Sequence, residues 1–520
     1  MLTPEYLQSV PDAMVELYAR AETDILADMA RRISGYDMFI PAAQHQLEML
    51  EEMGALRSDI LAELGKLTSK SQKELATIMR EAGMETLAAD ERLYKAAGVT
   101  SSPAAASAAV KEALAAGMKK TGGLFTNLTK TTANTAAKQF ERALDRAYMN
   151  TTSGAFDPAT AVKRALKELA KQGVGSIEYP SGHVDSIEVA VRRATVTGVN
   201  QTAMQMQAAR ADEAGVDLVE TTAHAGARPS HAQWQGKIFS RSGKSRKYPD
   251  FVQSTGYGTG AGLGGWNCSH SFRPYIEGFP RAYPNALLKE YAGQGRTYNG
   301  HKMTEYEALQ QQREIERKIR RWKREAATMK VAGLDATESA VKLKRWQDKE
   351  TDFLSQTGLK RQQERAQIAG WGRSQAAQAS AVATAARKNA AALFPSESGK
   401  DSMKRYLKEK PVIDILSSHG IQYRQRISTK EIIVDAGAPK IARMTGHATT
   451  NLETKADRTD MTTERAQAFV DNARLTLYQR DRGNLKFLAE DGYAILNLDH
   501  ALVTAVPQKW REKYDTYIGG

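Results

Sequence analysis

Apolar residues recur at helical spacing through the first third of the chain. Leu7, Val10, Met14, Leu17, Ala21 and Ile25 lie three or four apart and form one stripe. A break at 34–41 ends it, and Leu47, Leu50, Leu61 and Leu64 begin a second stripe. Ser102-Pro103 and Asp157-Pro158 each set a capping side chain before a proline, which predicts helix starts. The second start introduces AVKRALKELAKQG, a helix expected to stop at Gly173. Between the two, 104–150 is rich in Ala, Thr and Lys, and its thin apolar face suits packing against a partner helix.

From Gly175 the period changes. GSIEYPSGHV reads as a hairpin around Pro180-Ser181-Gly182. A helix over roughly 185–214 follows, and then VDLVETTAHA reads as a strand delivering His224. Turn-rich residues run from Pro274 to Gly300. Residues 303–372 form a charged helical stretch with Ile315, Ile319, Trp322 and Met329 on one side, and the Ala-rich 374–395 reads as helix or linker at a domain boundary. Beyond it, a helix near 412–418 precedes the strand candidates IQYRQ and EIIVDA. TTERAQAFVDNA is a capped helix, and LTLYQ, LKFLAE, YAILNL and ALVTAV are strands parted by turns at Arg482-Gly483-Asn484 and Asp491-Gly492. No repeat at a fixed period is visible. The expected fold is mainly α with α+β modules. An extended helical region occupies 1–174, a small α+β module 175–300, a charged and Ala-rich helical connector 301–399, and a small α+β domain with an antiparallel sheet 400–520.

Composition narrows the function classes. At 520 residues the chain exceeds one ordinary core. No apolar run approaches the ~18 residues of a spanning helix, and MLTPEYLQSVPDAMVELYARAE lacks a basic start before an apolar core, so neither a membrane span nor a secretory signal is expected. A single cysteine excludes an intramolecular disulfide and suits a reducing compartment. The net charge of +13 favours polyanionic or acidic partners. It peaks at 313–324 (REIERKIRRWKR), 342–345 and 361–365, runs that read first as solvated helix faces. Aromatic residues interleave too sparsely with these charges to form a stacking platform for single strands.

Chemistry is concentrated between His224 and Tyr275. The segment holds HAGARPSHAQWQGKIF, the Gly-rich STGYGTGAGLGG and WNCSHSFRPY. These contain the only cysteine, Cys268, three of nine histidines (His224, His231, His270) and two of six tryptophans (Trp234, Trp266). Imidazoles and a thiolate suit zinc, with His224, His231, Cys268 and His270 as candidate ligands. Cys-Ser-His, however, leaves one residue between ligands where two to four are usual, although on a strand the two would share a face. Cys, His and Asn267 are the residue types of cysteine hydrolases, but no nucleophile signature accompanies them, so no catalytic residue is expected here. The glycines match neither phosphate-binding fingerprint and predict a mobile or tightly folded loop. The remaining reading is a polar knot, in which Arg228 and the imidazoles lock irregular backbone. Trp234-Gln235-Gly236-Lys237 would turn into strand IFS, and Trp266-Asn267-Cys268 would pack back onto it.

The order VAVRRATVTGVNQTA, HAGARPSHAQWQGKIF, GWNCSHSFRPYIEG resembles the phage minor capsid protein 2 family, akin to the Mu F-like head morphogenesis proteins of tailed phages. The likeness covers about 1–370 in layout and is sharpest at 185–276. Its motif positions are His224, Arg228, His231, Trp234, Gln235, Gly236, Trp266, Asn267, Cys268 and His270. The resemblance implies a structural virion protein without a cofactor, made in few copies and assembled into the phage head in the host cytoplasm. It implies portal and major capsid proteins as partners, proximity to packaged DNA, and a role in head morphogenesis, packaging or ejection.

Proteins of the Mu F-like group often carry a variable C-terminal domain, and 420–510 resembles the barnase-, EndoU- and colicin-like nucleases. That likeness implies an alternative, a ribonuclease-like toxin domain. Its acid–base and phosphate-binding candidates are His447, Lys455, His500 and Thr504, with Arg424 or Arg426 as phosphate clamps. The competing reading is an inert α+β domain with two loop histidines.

Overall fold

The computed structural model describes residues 2–99, 104–454 and 460–518. The chain divides into two units, Met1–Ala383 and Thr384–Gly520. As expected, it is mainly α with α+β modules.

In the first unit, α1 (Pro4–Ser9) and α2 (Asp12–Gly35) carry the first stripe, with Leu7, Met14, Ala21 and Ile25 buried. After the expected break comes α3 (Ala42–Ala96), whose 55 residues span about 80 Å at 1.5 Å per residue. Its seam differs from the expected one. Met49, Leu56, Ile60 and Leu64 are buried, whereas Leu47 and Leu50 are 66% and 52% exposed. Each residue turns a helix by about 100°, so a seam through Met49 aims its near neighbours away.

Helix α4 (Ala108–Thr152) begins where Ser107 accepts a hydrogen bond from the Val110 N–H. The Ser102-Pro103 signal lies outside the described residues. Helix α5 (Pro158–Gln172) is capped by Asp157 and ends at Gly173, whose φ is +76°. The hairpin β1 (Gly175–Glu178) and β2 (Val184–Ser186) leads into α6 (Ile187–Glu213).

Helix α6 is buried on several faces, including Val191, Thr195, Gly198, Val199, Asn200, Thr202, Met206 and Arg210. Its crossing with α4 explains why 104–150 has small residues in place of a broad apolar face. A Cβ on Gly117 would strike Thr202, and one on Gly198 would strike Thr121. Each helix therefore sets a glycine and, four residues on, a threonine against its antiparallel partner, and backbone approaches backbone.

The helix feeds a three-stranded antiparallel sheet in the order β4 (Ile238–Ser240), β3 (Leu218–Thr221), β5 (Phe272–Pro274). Two short helices, α7 (Pro229–Ala232) and α8 (Phe251–Thr255), lie in its connections. The stretch from Pro274 to Gly300 is more ordered than its turn-rich sequence indicated. It contains α9 (Asn285–Gly293) and enters a hairpin of β6 (Gly295–Tyr298) and β7 (His301–Thr304). Asn299 and Gly300 take the positive φ that such a turn requires.

Helix α10 (Glu305–Val331) starts with a Thr304–Glu307 capping box and packs on α11 (Thr337–Thr357). Ile315, Ile319, Trp322 and Met329 are buried as expected. The charge run on α10 is not simply a solvated face. Arg320 pairs with Glu188, and Arg324 lies 3.4 Å from Glu22. Lys323 Nζ donates to Ala366 O at 2.8 Å, and burial pushes its pKa down to about 8. Burial, with Arg192 and Arg313 nearby, lowers Arg365 to about 10. Helix α12 (Arg373–Leu393) spans the residue at which the two units divide.

Beyond α12 the second unit continues with α13 (Gly399–Ser418) and ends with α16 (Asp515–Ile518). Between them run β8 (Gln422–Arg426), β9 (Glu431–Asp435), β10 (Arg443–Met444), α14 (Gly446–Thr454), α15 (Thr463–Asp471), β11 (Leu475–Gln479), β12 (Asn484–Leu488), β13 (Gly492–Asn497) and β14 (Ala501–Pro507). Seven strands form one sheet in the order β10-β14-β13-β12-β11-β9-β8. It is antiparallel except where β10 runs parallel to β14. Among the described residues no helix is long and apolar enough to cross a membrane.

The α4–α6 crossing yields a test. Gly198→Ala gains helix propensity of about 1 kcal/mol, but its methyl group meets Thr121, and overpacking costs about 1–3 kcal/mol. The variant is expected to lower the melting temperature of the full chain, with part of the loss restored by Thr121→Ala in the double variant.

Candidate functional site

The dense segment folds around the end of the small sheet next to α6. Strand β3 ends at Thr221, and His224 follows in a loop. Arg228 precedes the proline that opens α7, which carries His231. Trp234 to Lys237 turns the chain into β4, with Gly236 at φ +64° and the Lys237 N–H bonded to Trp234 O. Trp234 is buried, and the Thr221 hydroxyl donates to its carbonyl at 2.8 Å.

The glycine loop takes the tightly folded form. The N–H groups of Leu263 and Trp266 reach Thr255 O and Gly260 O at 3.0 and 2.8 Å. A Cβ on Gly262 would collide with Gly256 backbone. Trp266 does not pack back onto the turn into β4 as expected. It is 64% exposed, covers Gly260, and its carbonyl accepts from Arg228 at 3.2 Å. Asn267 then takes φ +51°. This left-handed residue, rather than a strand, brings Cys268 and His270 together, and the His270 N–H points at Cys268 Sγ from 3.4 Å.

His231, Cys268 and His270 are all buried, and their ligating atoms lie within 4.8 Å of one another. Cys268 Sγ is 3.6 Å from His231 Nδ1 and 3.7 Å from His270 Nδ1. His231 Nε2 sits 2.9 Å from Ala261 O, and His270 Nε2 sits 3.2 Å from Gln235 Oε1. The same Gln235 oxygen accepts the His224 N–H at 3.1 Å, which orients the amide. His224 stands beside this group. Its ring is 4.5 Å from that of His270, and its Nδ1 is 2.8 Å from Ala225 O. Burial lowers the pKa of His224 and His231, lowers that of His270 further, and raises that of the Cys268 thiol, so neutral forms dominate near neutral pH. A cavity of about 190 Å³ adjoins the cluster, with Arg228, Tyr306 and Arg313 in its wall.

Two supports went unrecognised in the sequence. Asn200, fully buried on α6, donates its amide to Cys268 O at 3.1 Å and His270 O at 2.8 Å. Glu220, fully buried on β3, accepts from the Ala282 and Tyr283 N–H groups and from Arg273 at 3.1 Å, with Arg281 at 3.5 Å. No signal in the sequence marked Asn200, because a polar residue within a helix reads as surface.

Residues 2–355 match the family described as phage minor capsid protein 2. The chain belongs to that family. Two relatives described as "Structural protein" come from Lactococcus phages. That of phage LL-H is 26% identical over 290 residues, covering 54% of this chain and 75% of the relative. That of phage mv4 is 36% identical over 127 residues, covering 24% and 94% respectively. No solved structure matches. The whole histidine–cysteine cluster lies inside the part matched to the minor capsid family.

The nuclease candidates lie outside that match. His447 is exposed on α14, just after β10. His500 has φ +61° in the β13–β14 turn, and Thr504 lies on β14. Arg443 in β10 is in register with Ala501 in β14, so the segments bearing His447 and His500 are neighbours. Lys455 lies outside the described residues. Arg424 and Arg426 sit on β8, at the other edge of the sheet. Five strand spacings separate β8 from β14, about 24 Å at 4.8 Å each. The arginines therefore do not join the histidines at one phosphate. They pair with Asp435 and Glu409 at 3.0 and 2.6 Å.

Asn200 is expected to be decisive for this module. Asn200→Leu strips two buried carbonyls of their amide donor and should cost about 2–6 kcal/mol, at about 1–3 kcal/mol per carbonyl. Urea denaturation of the full chain, together with faster proteolysis within 254–270, measures the loss.

Proposed function

We propose that this protein is a low-copy structural component of a tailed-phage virion, seated near the portal or inside the head and acting in head morphogenesis. Its partners are the portal and major capsid proteins. Packaged DNA lies against its basic surface, and packaging or ejection is its later task. The observation that carries the reading is the family match across residues 2–355, which takes in most of the first unit and all of its histidine–cysteine cluster. The exposed apolar side chains of Phe39, Leu47 and Leu50 support it, as they offer contact area where α3 begins. A ribonuclease-like second unit is the alternative, favoured only by the adjacency of the β10–α14 and β13–β14 segments.

Two measurements test these readings. Cryo-electron microscopy of intact particles with a labelled chain should place a few copies at one vertex or inside the head; absence from particles, or a copy at every capsomer, would overturn the proposal. Full-length protein incubated with total RNA should leave it intact, whereas cleavage abolished by His500→Ala would establish the nuclease.

A further inference from the structure

The histidine–cysteine cluster has an arrangement that its hydrogen bonds alone do not account for. Carbonyl oxygens only accept hydrogen bonds. Ala261 O therefore places the His231 proton on Nε2, and Gln235 Oε1 does the same for His270, its own orientation set by the His224 N–H. In the neutral rings both Nδ1 atoms then carry lone pairs, and both are directed at Cys268 Sγ. One thiol proton can satisfy one of them at most. The other faces a sulfur lone pair in a buried site, a repulsion that a bound cation converts into attraction.

The two sulfur–nitrogen distances fit such a cation. Zinc bonds of about 2.3 Å to sulfur and 2.0–2.1 Å to nitrogen, at tetrahedral angles, set sulfur and nitrogen about 3.6 Å apart. The structure has 3.6 and 3.7 Å. Each imidazole is also held from behind by an oxygen acceptor on its other nitrogen, the outer-shell arrangement that orients metal-bound histidine. We propose that His231 Nδ1, Cys268 Sγ and His270 Nδ1 bind one divalent transition metal, zinc by ligand chemistry, with the fourth position open to the adjoining cavity. Binding forms one metal–sulfur and two metal–nitrogen bonds, and the displaced thiol proton leaves to solvent. The site ties α7 to the chain before β5 and so fastens both connections of the small sheet. It stands independently of the virion reading.

The test uses untagged full-length protein from zinc-supplemented cells. Elemental analysis should find about one zinc per chain, and chelation should lower the melting temperature. Replacement with cobalt should give a thiolate-to-cobalt charge-transfer band, and that band can come only from Cys268 because the chain has no other cysteine. Cys268→Ser should abolish the band, and Gln235→Ala should weaken metal affinity about 10–100-fold. If Cys268→Ser does not fold, the unmutated protein still decides the matter. Zinc below about a tenth per chain together with no cobalt–thiolate band overturns the proposal, as does cobalt uptake without that band.

Discussion

The amide of Asn200 donates to two backbone carbonyls from a helix with little access to solvent. Around that pair of hydrogen bonds the first unit is assembled. One face of α6 lies against α4 through the reciprocal Gly117–Thr202 and Gly198–Thr121 contacts, and another receives the chain that carries Cys268 and His270. A longer side chain at the crossing would push the helices apart, and an apolar one at Asn200 would strip two buried carbonyls of their amide donor. The helix bundle and the small sheet are therefore not separable parts joined by a linker. They share one element, which is built from small and polar residues because it is enclosed.

The same enclosure explains the chemistry at 224–275. Irregular backbone can be buried only if its polar groups find partners. Gln235 serves His224 and His270, Ala261 serves His231, and Glu220 serves two N–H groups with arginines beside it. Burial favours the neutral imidazoles and the neutral thiol. Its walls are set by backbone turns at Gly236 and Asn267, residues that take positive φ. Gly236 and Asn267 with their positive φ, and Gln235 and Arg228 with their hydrogen bonds, thus hold irregular backbone in place here.

The second unit follows a different logic. Its sheet is assembled from hairpins between strands close in sequence, except where β9 pairs with β11 and where β10 pairs with β14. Arg424 and Arg426 are neutralised on the edge strand farthest from β10 and β14. Glu409, which is buried, takes Arg426 from one side and lies 3.7 Å from Arg480. Arg426 and Arg480 tie α13 to the sheet through Glu409, whereas Arg424 pairs with Asp435 between β8 and β9.

What the sequence determined by itself was local. Hydrophobic periods marked α2, α5, α6 and α10, and alternation with turn residues marked β11 to β14, because those patterns are imposed within a few residues of chain. Proline and capping residues set the start of α5 for the same reason. Only the tertiary structure decided that Met49 faces inward while Leu47 and Leu50 do not, that Arg320 and Arg324 of α10 face acidic partners, and that β10 joins β14. Only it could bring His231 within reach of Cys268 across 37 positions, or reveal Asn200 as the support of Cys268 and His270. Such choices depend on what lies opposite a residue, and a chain read in one dimension does not contain its own neighbours in space.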